Sequence, residues 1–471
     1  MTEITNNEQQ IKDWQSIQNK QRERAAKYSV GSIQERKRLL SLLKKMLMEC
    51  QEEWFAALSA DLGKSSIESY ASELGILLNE IDDMLKHLNQ WLRPKRISRL
   101  KLGSSREKST VEKLPYGSIL IISPWNYPIH LALMPAIGAL AAGNSCVIKP
   151  SEYAPATASM LAEKIAEYFE PSELTVVEGG SETAQALLTL RWDFIVFTGS
   201  KKVGALVHQA AAKFLTPVLL ELGGKNPCIV DRTGLSDTAI RRIVFGKWMN
   251  AGQTCIAPDS IYVHESVYLE FLESLKTQIQ HVYGKDPLEN KDYGQLINRQ
   301  HYDQISLKME QGTVWYGGKG NVEKKAIEPT ILINISSDSA ISSEEIFGPL
   351  LPVIPYKDSD TLLATLKKLP APLVVYYFGS EKSEVFQKAK TLKSGAFSVN
   401  QVVRYIGDSR LPFGGVDGSG FGRYHGKSSI QTFTYEKVSY KQATLLDWKR
   451  QYPPYRDKDV SWLIRLRKWL F

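Results

Sequence analysis

Cysteine is scarce in this chain. Four residues in 471 (Cys50, Cys146, Cys228 and Cys255) form no C-x-x-C pair and have no histidine nearby at ligand spacing. That excludes a disulfide scaffold or a structural zinc site and fits reduced thiols in a cytoplasmic setting. The opening, MTEITNNEQQIKDWQ, has no apolar core, so no secretory signal peptide is expected. No basic block exists either: 59 Lys and Arg against 51 Asp and Glu leave +8 spread along the chain, which argues against nucleic acid as a partner. Internal repeats and low-complexity linkers are missing as well. The segment between Lys113 and Lys149 lacks acidic and basic residues, yet Pro124, Pro128 and Pro135 interrupt it, and Asn126 and His130 need polar partners. It reads as a buried strand, a loop and an apolar helix rather than a membrane span.

What is present is an ordinary globular composition, with 43% hydrophobic and 23% charged residues. At roughly 100–200 residues per domain, the length suits two to four domains. The chain opens with helices. Ser32-Ile-Gln-Glu35 has the form of a capping box ahead of Leu39, Leu42, Leu43, Met46 and Leu47, and a further helix spans about 68–91, closed by Pro94. From Gly117 short apolar runs alternate with helices: 118–123, 146–149, 174–177, 194–197, 218–222 and 228–230, then 260–263, 351–355 and 373–378. Such alternation predicts parallel sheets with crossover helices, an α/β architecture with tightly interleaved domains. The tail from Val460 to Phe471 mixes Trp, Leu and Phe with Arg465, Arg467 and Lys468. It is too short to span a bilayer, and either lies on a membrane surface or packs over the body.

Four segments carry chemistry. Cys255 sits in Gly252-Gln-Thr-Cys-Ile-Ala-Pro258, where a turn and small neighbours leave the sulfur reachable, as a nucleophilic thiolate requires. Glu221, in Leu220-Glu-Leu-Gly-Gly-Lys225, ends an apolar strand; it is either a solvated strand end or a desolvated carboxylate suited to activating water. Asn126 lies between Pro124 and Pro128, where a rigidly held amide can donate to an oxyanion. Phe197-Thr-Gly-Ser-Lys-Lys-Val-Gly204 follows a strand and opens a helix, a setting in which backbone N–H groups approach phosphate. Gly418-Ser-Gly-Phe-Gly422 looks similar, but its spacing is wrong and no clear strand precedes it; we read it as structural.

Together with Lys149-Pro-Ser-Glu152, Glu344-Glu-Ile-Phe-Gly-Pro349 and Leu411-Pro-Phe-Gly-Gly415, these segments resemble the NAD(P)-dependent aldehyde dehydrogenase superfamily over about 61–434. The short N-terminus, Gly252–Asp259 and Arg423–Lys427 resemble the class 3 branch, which includes fatty aldehyde dehydrogenases. The resemblance implies a Rossmann-type cofactor domain (1–88 and 114–221), an α/β catalytic domain (222–410) and a small β oligomerisation arm built from bridging segments (89–113 and 411–445), followed by the tail 446–471. It implies oxidation of an apolar aldehyde (fatty, aromatic or terpenoid) to its acid, with Cys255 as nucleophile, Asn126 in the oxyanion hole and Glu221 activating water. It places Trp125, Lys149, Glu152, Gly199, Ser200, Gly204, Glu345 and Phe347 around NAD or NADP, and Tyr70, Tyr127 and His425 near the substrate or its entry. Glu152 would repel a 2′-phosphate, whereas Lys149 stands nearby, so both cofactors stay open. No metal is implied, and a homodimer is. The chain departs from class 3 at Asn400-Gln401, where Asn-Asp is common, and at Tyr405, where histidine is common. CoA-acylating oxidation, which the retained Glu221 disfavours, and a non-catalytic binding protein on the same fold are the alternatives.

Overall fold

Apolar runs buried on both faces form the first of two main sheets. The computed structural model describes residues 2–28, 33–97, 108–441, 452–456, 460, 461 and 464. The first sheet runs in the order Gly420–Phe421, Val218–Leu222, Phe194–Gly199, Ser118–Ile122, Ser145–Lys149, Leu174–Val176. Every pairing is parallel except that of Gly420–Phe421 with Val218–Leu222. The second glycine loop is therefore structural: it adds a short antiparallel strand opposite Leu220 and Glu221. The second sheet has seven strands, Thr313–Tyr316, Thr330–Ile333, Leu350–Tyr356, Ser260–His264, Pro227–Val230, Val374–Phe378 and Ala396–Val399, parallel apart from the first pair. A third, antiparallel sheet joins Lys95–Ile97, Lys108–Pro115 and Thr434–Lys441.

The uncharged segment after Lys113 is a strand, a loop and a helix, His130–Ala142, buried along its whole length. Pro135 lies inside that helix instead of ending it. The burial has a cause: the helices Ile33–Glu49, Gly75–Trp91 and Gly426–Thr432 all pack against it. Asn144 ties distant parts of the chain together, accepting from the Gly117 N–H at 2.9 Å and donating to the Phe433 carbonyl at 2.9 Å. The N-terminal helix Thr2–Lys27 docks through Gln21, whose amide donates to the carbonyls of Cys146 and Pro171. The helix expected over about 68–91 is divided, because a π-helical turn, Tyr70–Leu74, precedes Gly75–Trp91. Ser32 of the capping box and most of the tail lie outside the described residues. Among the described residues no helix is long and apolar enough to cross a membrane.

Candidate active site

The carboxyl ends of the first sheet's strands face loops of the second across a cavity of about 250 Å³. In parallel sheets this edge is where ligands bind, because helix N-termini and loops converge there. Trp125, Asn126, Gly199, Ser200, Glu221, Cys255, Glu345 and Phe347 all line the cavity, so eight of the expected residues are brought together. Lys149, Glu152, Gly204, Tyr70, Tyr127 and His425 are not among its lining residues. Lys149 and Glu152 pair with each other at 2.6 Å, Gly204 packs inside its helix against Leu222, and Tyr70 is 46% exposed on the π-helical turn. Tyr127 is buried behind the Cys255 loop, its hydroxyl 2.6 Å from Thr254 Oγ1. His425 is buried against Tyr424 and Phe413, which themselves line the cavity. The departures from class 3 are also accounted for: Asn400 Oδ1 accepts from Gly379 N, Gln401 Oε1 accepts from Val402 N, and Tyr405 stacks on Phe413 at 6.2 Å.

Cys255 follows three consecutive left-handed residues, Asn250 (φ 52°), Ala251 (φ 52°) and Gly252 (φ 77°). Non-glycine residues rarely adopt this conformation, and it persists only where surroundings over-determine it. They do so here. Gln253 donates to the carbonyls of Asn250 and Gln295, both at 3.0 Å, and accepts from Ile297 N. Asn226 Nδ2 donates to the carbonyls of Cys255 (2.7 Å) and Ala257 (3.1 Å), and the Tyr376 hydroxyl donates to that of Ile256 (2.6 Å). Asp259 pairs with Lys225 and accepts from Ile346 N, which connects the Cys255 loop to the segment bearing Glu345 and Phe347. Asn126 Nδ2 donates one hydrogen to the Gln253 carbonyl at 3.0 Å, leaving its second for a ligand.

The electrostatics distinguish the two central groups. Burial, then the nearby carboxylates of Glu345 and Glu221, push the Cys255 thiol up to about 12; the backbone N–H groups of Cys255 and Ile256 act the other way. Both oxygens of Glu221 are buried without a hydrogen-bond partner. Burial holds its carboxyl well above the usual range, with only the Arg423 charge opposing. Burial, with Asp259, also raises Glu345, to about 8. Gly223 allows this crowding, since a methyl group there would collide with the Glu345 carboxylate.

A thiol, a carboxyl group free of partners and an amide donor around one cavity, beside a helix N-terminus, form the constellation on which the resemblance rested. The family model for the aldehyde dehydrogenase family matches residues 4–439. The chain belongs to the aldehyde dehydrogenase family. This family has NAD(P)-dependent members. The chain is 47% identical over 419 residues to a 4,4'-diapolycopene-4,4'-dial dehydrogenase of Cytobacillus firmus, covering 88% of this chain and 92% of that protein. It is 42% identical over 425 residues to the 4,4'-diaponeurosporen-aldehyde dehydrogenase of Staphylococcus aureus, covering 90% and 92%. A substrate-bound structure of AldH from Staphylococcus aureus superposes with a TM-score of 0.92 at 39% identity, covering 96% of this chain and 99% of that one. Sequence reasoning missed Lys64, Glu68, Glu73, Asn226 and Asn250. Each is a polar residue in an otherwise unremarkable helix or loop, and only its buried contacts set it apart.

Proposed function

We propose that this enzyme oxidises an apolar aldehyde to its carboxylic acid with NAD or NADP. Support for an apolar substrate comes from the cavity walls Leu131, Leu373, Phe413 and Tyr424 and from relatives named for carotenoid aldehydes. The residues fit a dinucleotide. Gly199 and Ser200 precede the helix Lys201–Ala212, whose N-terminal N–H groups favour a pyrophosphate, and Val203 and Leu206, 44% and 56% exposed on that helix, offer an apolar face to an adenine. Lys149 and Glu152 would meet the adenosine ribose, and Glu345 and Phe347 the nicotinamide end. When bound, the nicotinamide accepts the hydride of the oxidation.

The chain's own groups do the rest. The Cys255 thiol passes its proton to Glu221, which releases it to solvent; Sγ bonds to the aldehyde carbon as the C=O π bond opens, and the resulting oxyanion is held by Asn126 Nδ2 and the Cys255 N–H. After oxidation the acyl group is a thioester on Cys255. Glu221 then takes a proton from water, the water oxygen bonds to the acyl carbon, the C–S bond breaks and the acid leaves. The single observation that carries this reading is the Glu221 carboxylate, buried and unpartnered beside Cys255. A panel of fatty, aromatic and terpenoid aldehydes with NAD and NADP tests it: acid forms without CoA, and Cys255→Ala forms no NAD(P)H. Acyl-CoA formed only when CoA is present would establish the acylating alternative; no turnover of any aldehyde by the unaltered protein would leave a binding role.

The same reading assigns cofactor binding to 1–88 and 114–221, catalysis to 222–410, and dimer formation to the three-stranded arm. That arm exposes Val438 (69%), Tyr440 (58%) and Ile97 (47%), apolar area suited to a second copy. Sedimentation at the mass of two chains is the expected outcome. We place the protein in the cytoplasm, its four thiols reduced, with peripheral membrane contact through the tail, where Tyr455, Val460 and Ile464 are exposed. Equal partitioning onto liposomes by the full chain and a chain ending at Pro454 overturns the membrane contact.

A further inference from the structure

We infer that the buried ion pair Lys64–Glu73 is a positioning device that holds both halves of the oxyanion hole in one geometry. The inference rests on the function proposed above. The two halves come from positions 126 and 255, far apart in the chain, and the pair reaches each of them.

Lys64 Nζ lies 2.6 Å from Glu73 Oε1, and both side chains are 0% exposed. The second Glu73 oxygen accepts from Ile129 N at 2.9 Å and His130 N at 3.1 Å, which fixes where the Asn126 loop enters the helix His130–Ala142. Lys64 Nζ also donates to the Asn126 carbonyl at 3.1 Å, which sets the direction of that residue's backbone. The same ammonium sits 4.0 Å from the centre of the Tyr127 ring. The Tyr127 hydroxyl meets Thr254 Oγ1 at 2.6 Å, one residue before the Cys255 N–H. A second tie runs in parallel: Glu68 Oε1 accepts from Asn250 N at 2.8 Å, and Asn250 Nδ2 donates to the Asn126 carbonyl at 2.7 Å.

Ser69, Glu73 and Leu74 are buried in or beside the π-helical turn Tyr70–Leu74, a widening of the kind often found at functional sites. The turn brings Glu73 back onto Lys64. Two desolvated charges are costly to bury, and a pair so placed persists when geometry and further hydrogen bonds compensate. Here those compensating bonds all end on backbone of the Asn126 loop and the helix that follows it, and the Cys255 side is reached through the Tyr127 ring and its hydroxyl. The pair touches neither Cys255 nor the cavity, so its influence on the reaction runs through position alone.

The test uses Lys64→Met with Glu73→Gln in one protein, which removes both charges and leaves no lone buried ion. Three readouts are compared with the unaltered enzyme. Expected are a kcat lower by about 10- to 100-fold, as small misplacement of catalytic groups costs, and an aldehyde KM within about threefold. The rate at which iodoacetamide alkylates Cys255 stays unchanged, because alkylation needs the sulfur and no oxyanion hole. In an Asn126→Ala background the same double change costs less than in the unaltered enzyme, since one of the two donors it positions is gone. An unchanged kcat, an equal loss in the Asn126→Ala background, or alkylation falling in step with kcat overturns the inference. Should the double variant not fold, Tyr127→Phe severs only the Thr254 link; about fivefold lower kcat at constant alkylation supports the device, and no change overturns it. If the unaltered enzyme oxidises no aldehyde, the proposed function falls. The positioning claim is then read from acylation of Cys255 by p-nitrophenyl acetate, which needs no nicotinamide.

Discussion

Two glutamates in this molecule are equally hidden from water and differ in every other respect. Glu73, at 0% exposure, has an ammonium and two backbone N–H groups on its oxygens. Glu221, at 3%, has none. Buried polar groups in folded proteins are nearly always paired, so the unpaired one calls for an explanation. Pairing makes Glu73 part of the frame. Burial raises the carboxyl pKa of Glu221, and with no partner on either oxygen the group is left free to exchange a proton in the cavity. Burial alone distinguishes neither role; the inventory of partners does.

The comparison breaks most visibly if Glu221 proves to be frame. Glu221→Gln is expected to lower acid production by about 10²- to 10⁴-fold, the range of a general base, without lowering the melting temperature, since no partner is lost. In the unaltered enzyme the rate rises with pH through a transition well above the usual carboxylate range, and the Gln variant loses it; pH–rate profiles of both check this. Glu73→Leu with Lys64 kept sharpens the other side. It leaves an uncompensated buried ammonium, and urea unfolding should show a loss of about 3–5 kcal/mol.

Glu80 stands between the two cases, with one oxygen accepting from Gly426 N and the other unpartnered. Burial pushes its carboxyl up to about 7. The folded state then holds a proton that the unfolded state releases above about 4.5. The stability this contributes is full below that pH and is lost as pH rises to about 7. Glu80→Gln should flatten that decline by roughly 1–3 kcal/mol in urea titrations across the window. The smallest effect belongs to a surface pair. Lys393 and Asp417 meet at 3.1 Å but are 63% and 62% exposed, so Lys393→Ala should shift stability by under about 0.5 kcal/mol.

Legibility followed sequence distance. Cys255, Glu221, Asn126 and the Gly199–Ser200 turn were readable because each sits in a short segment whose neighbours state its purpose: a turn, a strand end, paired prolines, a strand-to-helix junction. The glycine loop at 418–422 was rightly set apart for the same reason. Lys64, Glu73 and Asn250 were invisible because their partners lie in the separate segments 126–130, and Asn226 because its partner is Cys255. Helix local signals also misled once. Pro135 reads as a break, yet packing on all sides of His130–Ala142 keeps the helix continuous through it. The strands Thr313–Tyr316, Thr330–Ile333 and Ala396–Val399 and those of the arm escaped the alternation pattern, being short or largely exposed.

By itself the order of residues determined the α/β class and picked out a thiol, a carboxylate and an amide that line one cavity. Hydrophobic period and turn chemistry act over a handful of neighbours and are written locally. Only the tertiary structure decided which glutamate is partnered and which is bare, that Lys149 neutralises Glu152, and that one buried ion pair serves both donors of the oxyanion hole. Desolvation and hydrogen bonding depend on what the folded chain brings within about 3 Å, and no local pattern encodes that meeting.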